Sequence, residues 1–221
     1  MTPIRYIALL CALPLSGAAT LDAILARMDQ SAVSFKAMSA KVRQVSHIAV
    51  INEDNVGIGS VRMKRMKRDA QFLAEFTSPE PKSFALAGAK LELYYPKAST
   101  VEQYDLGKNR VEKYLALGFG ASGKELRTDY DLKELGVETV NGEKAARLEL
   151  IPKSQQVLQQ FPRIELWISE AKGYPVQQKL HQTGGDYMMI TYSDVAINPP
   201  LPDSAYKLNL PRGVARLFPG K

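Results

Sequence analysis

Three consecutive segments between Arg163 and Tyr192 constrain the fold most strongly, because each has the two-residue period of a half-buried β-strand. Gly173 and the pair Gly184-Gly185 separate the segments and supply short turns. The rows predicted to share one face are Ile164, Leu166 and Ile168, then Val176, Gln178 and Leu180, then Met188, Ile190 and Tyr192. Three strands joined in this way form an antiparallel meander. Both rows of the third strand are largely apolar, so both of its faces are expected to be covered.

The first 19 residues have the layout of a secretory signal peptide. Arg5 precedes an apolar run from Tyr6 to Leu15, and Gly17-Ala18-Ala19 offers small residues for cleavage before Thr20. Such a run is too short to cross a bilayer core of about 30 Å. The one cysteine, Cys11, lies in this segment, so we expect a mature chain without disulfides or cysteine-based sites. We expect removal of residues 1–19 and a single periplasmic domain over residues 20–221.

The rest of the chain carries further helix and strand signals. Thr20 can cap a helix with apolar residues at three- and four-residue spacing, and a strand is predicted to begin near Met38. Ser122-Gly-Lys-Glu125 matches a capping box, and Asn141-Gly142 is the strongest local hairpin signal. Weaker patterns predict a turn at 52–55, helical turns lying across one face at 105–138, and a last strand at 206–210. The sequence therefore predicts a mainly β (α+β) fold, with one antiparallel sheet of roughly ten strands curled around helices.

The sequence contains no pattern that indicates catalysis. His47 and His181 are the only histidines, and neither has a nearby serine or aspartate signature. Motifs of nucleophile elbows, zinc proteases, phosphate-binding loops and dinucleotide folds are absent from the sequence. The basic residues between Arg62 and Arg68 accompany no nucleic-acid-binding motif, so we interpret them as the solvated end of a strand. We expect a protein that is not an enzyme and that binds no cofactor, metal or nucleic acid.

Large apolar side chains are abundant in the predicted strands and in the segment between them. Ordinary core packing explains such residues, and an apolar cavity for an acyl chain explains them equally well. Burial of an acyl chain contributes about 0.8 kcal/mol per methylene, so one long chain binds tightly without any chemistry. The residues predicted to line this cavity are Phe72, Phe76, Leu91, Leu93, Tyr95, Leu117, Phe119, Leu166, Ile168, Met188 and Ile190.

The order of several segments resembles the LolA-type outer-membrane lipoprotein-sorting proteins of the LolA/LolB-like superfamily. The matching segments are Gly59–Arg65, Ala85–Pro96, Ile164–Gln178, Gly185–Tyr187 and the stretch from Asn198-Pro199 to Val214. The resemblance covers nearly the whole mature chain. It implies an incomplete antiparallel barrel of about eleven strands with a helical lid over an apolar cavity.

The resemblance also implies a function. Proteins of this type take lipid-modified proteins from an inner-membrane ABC release complex, shield their acyl chains and pass them to an outer-membrane receptor. In the family a basic residue in a lysine-arginine-proline stretch holds the lid by hydrogen bonding. The matching residues here are Lys64-Arg65-Met66, so Arg65 is the candidate lid latch, although methionine stands where the family has proline.

Three functional interpretations remain open at this point. The first is a periplasmic, monomeric carrier of acylated lipoproteins, as the resemblance implies. A carrier of another lipid would use the same cavity. An envelope lipid or stress sensor would use a related domain to bind lipid or misfolded envelope protein.

Overall fold

A computed structural model describes residues 20–66, 70–106 and 117–219 of the 221-residue chain. The predicted signal peptide, Lys67 and Arg68 of the basic cluster, and the first part of the predicted helical insert lie outside these residues. Within them, twelve strands form one sheet. The strands are β1 (Ala37–Ile48), β2 (Glu53–Arg65), β3 (Ala70–Ser78), β4 (Lys82–Ala87), β5 (Lys90–Tyr95), β6 (Thr100–Asp105), β7 (Tyr130–Val140), β8 (Glu143–Pro152), β9 (Arg163–Ser169), β10 (Pro175–His181), β11 (Tyr187–Ile197) and β12 (Ala215–Leu217).

The sheet is open and curled, and its strand order is β12-β6-β5-β4-β3-β2-β1-β11-β10-β9-β8-β7. All neighbouring strands are antiparallel except β12, which runs parallel to β6. In the described residues three helices accompany the sheet, namely α1 (Leu21–Ser34), α2 (Gly123–Asp129) and α3 (Gln155–Gln160). The predicted curled antiparallel sheet with helices is confirmed, with twelve strands in the described residues where ten or eleven were expected. No helix in this part of the chain is long and apolar enough to cross a membrane.

The central meander forms as predicted, with β9, β10 and β11 adjacent in the sheet. One detail of its pattern differs, because a bulge between Pro175 and Gln177 interrupts the pairing of β10 with β9. The extra residue turns Val176 away from Gln178 and Leu180, and Val176 packs beside Trp167 in a small separate cluster. The predicted common face of β10 is therefore wrong at this one position.

The helix predicted at Thr20 is confirmed, and the Thr20 hydroxyl accepts a hydrogen bond from the Ala23 amide. The capping box at α2 also forms, because the Ser122 hydroxyl accepts from the Glu125 amide at 3.1 Å while the Glu125 carboxylate accepts from the Ser122 amide at 2.7 Å. Asn141 and Gly142 join β7 to β8 with φ angles of 50° and 79°, as the hairpin signal predicted.

Three of the weaker predictions are wrong. The β1–β2 turn occupies residues 49–52 and ends at Asn52, whose φ is 51°, so the predicted turn residues 53–55 already pair as strand. Strand β7 begins at Tyr130, inside the segment predicted as helical turns. The predicted last strand is replaced by a 3-10 turn over Asp203–Tyr206, followed by the short parallel strand β12 at Ala215–Leu217.

Two apolar clusters fill the inner face of the sheet, which is the face covered by α1 and α2. The helix-side core packs Ile24, Leu25 and Met28 of α1 against β8, β9 and β10, and its fully buried strand residues are Ala146, Leu148, Leu150, Ile164, Leu166, Ile168 and Leu180. The cavity-side core belongs mainly to β1 to β4 and β11, and contains Met38, Ala40, Val42, Val61, Met63, Phe72, Ala74, Phe76, Leu86 and Tyr192. The two halves of the inner face are thus packed differently.

Candidate functional site

A cavity of about 300 Å³ opens in the cavity-side core. Its wall is formed by strands β1 to β5 and β11, and its lining residues are Val42, Gln44, Val61, Phe72, Ala74, Phe76, Lys82, Ser83, Phe84, Leu93, Tyr95, Met188, Ile190 and Tyr192. This volume lies at the lower end of the range of about 300–1,000 Å³ for small-molecule pockets. Most of the lining is apolar, which suits a hydrocarbon ligand.

Alternation along the strands builds the cavity wall. On β3, Phe72 and Phe76 flank the small residue Ala74, whose methyl group leaves depth between the two rings. Phe84 on the neighbouring strand β4 stacks on both rings, with centroid distances of 5.5 Å to Phe72 and 6.3 Å to Phe76. These aromatic rings give one side of the cavity a rigid apolar surface.

The polar groups at the cavity are few and mostly uncharged. Gln44 donates its amide to the Ser46 hydroxyl at 3.1 Å. Complete burial raises the pKa of Tyr192, so its phenol stays neutral. Among the described residues the one charged lining residue is Lys82, which is exposed at the rim with its ammonium nitrogen 5.6 Å from the centre of the Phe76 ring. The cavity thus combines an apolar interior with a positive charge at its edge.

The structure divides the predicted cavity residues into three groups. Six of them line the cavity, namely Phe72, Phe76, Leu93, Tyr95, Met188 and Ile190. Leu91 and Phe119 belong to the cavity-side core without forming its wall. Leu117, Leu166 and Ile168 lie in the helix-side core, on the other half of the inner face. The binding role of every one of these residues stays a prediction.

Several lining residues were not identified from the sequence, namely Val42, Gln44, Val61, Ala74, Lys82, Ser83, Phe84 and Tyr192. A signal for two of them exists in β1, where Met38, Ala40, Val42 and Gln44 follow one alternating row. A polar Gln44 that continues an apolar row marks a place where the core gives way to a cavity. The two-sided apolar pattern of β11 is the corresponding signal for Tyr192.

A buried segment, Leu117–Gly120, crosses the inner face beside the cavity, and we call it the plug. Leu117 packs in the helix-side core, whereas Phe119 packs in the cavity-side core. The Phe119 ring meets the cavity-lining Tyr192 edge-on at 5.0 Å and stacks with Tyr174 at 6.1 Å. The plug therefore lies beside the cavity and contacts its wall through Phe119 and Tyr192.

Arg65, the predicted latch, contacts the plug directly. Its guanidinium donates a hydrogen bond to the Gly120 carbonyl and lies 5.6 Å from the centre of the Phe35 ring. Gly120 has a φ of 66°, and a methyl group at this position would overlap the Phe35 ring. The hydrogen bond that a latch needs is present, and its release during binding stays a prediction.

The opposite, outer face of the sheet carries an ionic network around Glu165. This carboxylate is only 1% exposed and accepts hydrogen bonds from Arg147 at 2.7 Å and from His181 at 2.8 Å. Burial alone would raise the pKa of Glu165, but these hydrogen bonds hold the pKa below its ordinary value. Burial lowers the pKa of His181 in spite of the neighbouring carboxylate. This network fixes β8, β9 and β10 to one another and lies on the face away from the cavity.

Comparison with known proteins finds solved structures of similar fold. No protein-family model matches the chain, and no curated protein matches it. An uncharacterized conserved protein from Thermus thermophilus matches with a TM-score of 0.55 and 14% identity, over 89% of this chain and 98% of that one. MucB matches with a TM-score of 0.51 and 12% identity, over 87% of this chain and 65% of MucB.

A LolA superfamily protein, NE2245 from Nitrosomonas europaea, is also among the matched structures. It is 16% identical over 87% of this chain and 99% of its own, with a TM-score of 0.42. At these identities the likenesses concern the fold alone. The open, curled antiparallel sheet with a helix across its inner face and an apolar cavity beside it agrees with the architecture expected from the sequence.

Proposed function

We propose that this protein binds and carries acyl chains in the cell envelope. The observation that supports this proposal is the cavity of about 300 Å³, whose interior is apolar and whose plug is held by Arg65. A hydrocarbon ligand fits this lining, because burial of the acyl chain removes apolar surface from water and needs no matching polar groups on the protein. Binding is then reversible and involves no covalent step.

Entry of a long acyl chain requires more space than the cavity offers with the plug in place. Phe119 is the plug residue that contacts the cavity wall, through Tyr192. Displacement of Phe119 extends the cavity toward the helix-side core, and an acyl chain replaces the apolar contacts that the ring loses. The ligand thus stabilises the open arrangement by its own burial, at about 0.8 kcal/mol per methylene.

The more specific proposal is that the cargo is the acylated terminus of a lipoprotein on its way to the outer membrane. It rests on the sequence resemblance, including the predicted export signal in residues 1–19. An inner-membrane ABC complex as donor and an outer-membrane receptor as acceptor follow from the same resemblance. Transfer occurs when the receptor offers the acyl chains a more favourable apolar site. Carriage of another lipid and a role as an envelope sensor stay alternative predictions.

The first experiment is native mass spectrometry of protein purified from its own periplasm, followed by extraction of the bound molecule. A diacylated or triacylated peptide supports lipoprotein carriage, whereas a phospholipid or isoprenoid assigns a different cargo to the same cavity. Protein without ligand that also binds no acyl probe in vitro contradicts the proposal as a whole.

A variant of the cavity wall tests the site itself. Leu93→Glu places a carboxylate in the apolar wall, and we expect affinity for a fluorescent acyl probe to fall at least tenfold, because a buried unpaired charge is strongly unfavourable. Ile58→Glu is the matched control, since Ile58 is 53% exposed and lies away from this cavity. If the Leu93→Glu protein has the circular-dichroism spectrum of the wild type and keeps its affinity, acyl chains do not bind at this wall.

A further inference from the structure

A fully buried amide on β10 has no partner within the part of the chain that the structure describes. Gln178 is 0% exposed, and neither its Nε2 nor its Oε1 atom has a hydrogen-bond partner there. Buried polar groups are almost always paired in native proteins, because an unpaired amide in the interior loses its hydrogen bonds to water. An unpaired amide in a well-packed region therefore points to a group that is supplied from outside.

Gln178 lies next to the cavity in the same row of the sheet. It pairs with Ile190 on β11, and Ile190 pairs in turn with Gln44 on β1. Both Ile190 and Gln44 line the cavity. Adjacent strands are about 4.8 Å apart, so Gln178 is only one strand beyond the cavity wall.

The plug lies against two residues close to Gln178, namely Leu166 and Pro175. Leu166 on β9 is the cross-strand partner of Gln178. A Cβ atom at Gly118 of the plug would lie 3.4 Å from a methyl group of Leu166 and 3.1 Å from the ring of Pro175, which is on the same strand as Gln178. Displacement of the plug, which the proposed function already requires, therefore joins the space around Gln178 to the cavity.

A carboxamide is both a donor and an acceptor and carries no charge. Its complement in a lipid is an uncharged polar group, such as an ester or amide linkage, attached directly to hydrocarbon. A charged headgroup does not fit this position, because an ion would be buried there without a counter-ion, whereas Lys82 at the rim can face an anionic group. Gln44, two strands away in the same row, supplies a second amide at the cavity wall itself.

We propose that Gln178 forms a polar subsite that hydrogen-bonds to the ester or amide linkage of an acyl ligand once the plug has moved. The inference rests on the proposed function and specifies its substrate class, namely acyl chains attached through an uncharged linkage to a polar molecule. Glycerol esters of phospholipids and the acylated cysteine of a lipoprotein share this chemistry. A hydrocarbon without a polar group lacks such a linkage.

The test compares Gln178→Leu with Gln177→Leu. Both variants make the same substitution on β10, but Gln177 faces the outer side of the sheet, where its side-chain oxygen accepts from the Thr191 hydroxyl at 2.9 Å. Leucine at 178 has a similar volume and removes the unpaired amide, so we expect this variant to fold with an unchanged or higher melting temperature. Affinity for diphenylhexatriene, a fluorescent hydrocarbon without polar groups, measures the apolar cavity alone.

Competition against diphenylhexatriene then gives the affinities for phosphatidylglycerol and for a synthetic triacylated lipopeptide. We expect Gln178→Leu to weaken binding of one or both lipids about tenfold, with affinity for diphenylhexatriene unchanged and with no effect of Gln177→Leu. The lipid that loses affinity identifies whose linkage Gln178 contacts. The subsite is overturned if wild type and Gln178→Leu have equal affinities for both lipids. It is also overturned if Gln178→Leu loses as much affinity for diphenylhexatriene as for the lipids. A wild-type protein that binds none of the three ligands overturns the proposed function itself.

Discussion

Removal of the Arg65 guanidinium should strengthen the binding of acyl chains. Arg65 donates a hydrogen bond to the Gly120 carbonyl of the plug and lies over the Phe35 ring, so these contacts would hold the plug in place if Arg65 is the latch. A ligand that needs the plug open must first break both contacts. Arg65→Met keeps an unbranched side chain in place of the aliphatic stem at the end of β2 and removes the charged donor group.

The size of the effect follows from the two contacts. Arg65 is an exposed residue, so we take about 1 kcal/mol for its hydrogen bond, in the middle of the usual net range. A cation over an aromatic ring at an exposed site adds about 0.5 kcal/mol. The sum of about 1.5 kcal/mol corresponds to a roughly tenfold larger open population. Since the apparent dissociation constant varies inversely with the fraction of binding-competent protein, it should fall about tenfold.

Titration with a fluorescent long-chain fatty acid measures this change. Arg43→Met is the matched control, because Arg43 is also an exposed arginine on a strand and lies away from the plug. We expect a tenfold lower dissociation constant for Arg65→Met and no change for Arg43→Met. An unchanged or higher dissociation constant for a folded Arg65→Met protein would refute the assignment of Arg65 as a latch.

Two further predictions concern stability. The pKa of His181 lies below its ordinary value of 6.5, so its stabilising contribution is complete above pH 6.5 and is lost as the pH falls through the folded-state value. Urea unfolding between pH 7 and pH 5 should therefore show a smaller loss of stability for His181→Gln, and equal slopes would contradict this. Gly120→Ala should lower the free energy of unfolding by about 1–3 kcal/mol more than Gly142→Ala, because both glycines have positive φ but only Gly120 is crowded, by Phe35. Equal losses would show that the plug is loosely packed.

Much of the fold could be predicted from local patterns that the tertiary structure reinforces. The β9–β11 meander and the Asn141-Gly142 turn formed as predicted, because alternation and turn chemistry agree there with the burial of one face. Residues near Tyr206 were misread because their alternation imitates a strand. In the structure, long-range contacts fix this segment as a 3-10 turn, since Asp203 pairs with Lys64 and the Ala205 carbonyl accepts a 2.8 Å hydrogen bond from Arg62.

The candidate site was harder to predict for a different physical reason. Sequence periodicity shows which side chains face inward. Leu166 and Phe72 both face inward, so periodicity does not tell the core residue from the residue in the cavity wall. What separates them is the covering layer, because α1 fills the space above Leu166 whereas no helix packs on Phe72 in the described residues. Whether a row of apolar residues becomes core or cavity wall depends on the shape of the facing element, and a strand pattern carries no information about that element.

The position of β1 in the sheet has a consequence for the order of folding. Strand β1 pairs with β2, which follows it directly, and with β11, which lies near the other end of the chain. The cavity spans this junction, since Val42 and Tyr192 face each other across it and both line the wall. Pairing between distant segments forms slowly compared with local hairpins. The cavity is therefore completed only when β1 meets β11, and an intermediate built of local hairpins alone lacks the junction that joins the two parts of its wall.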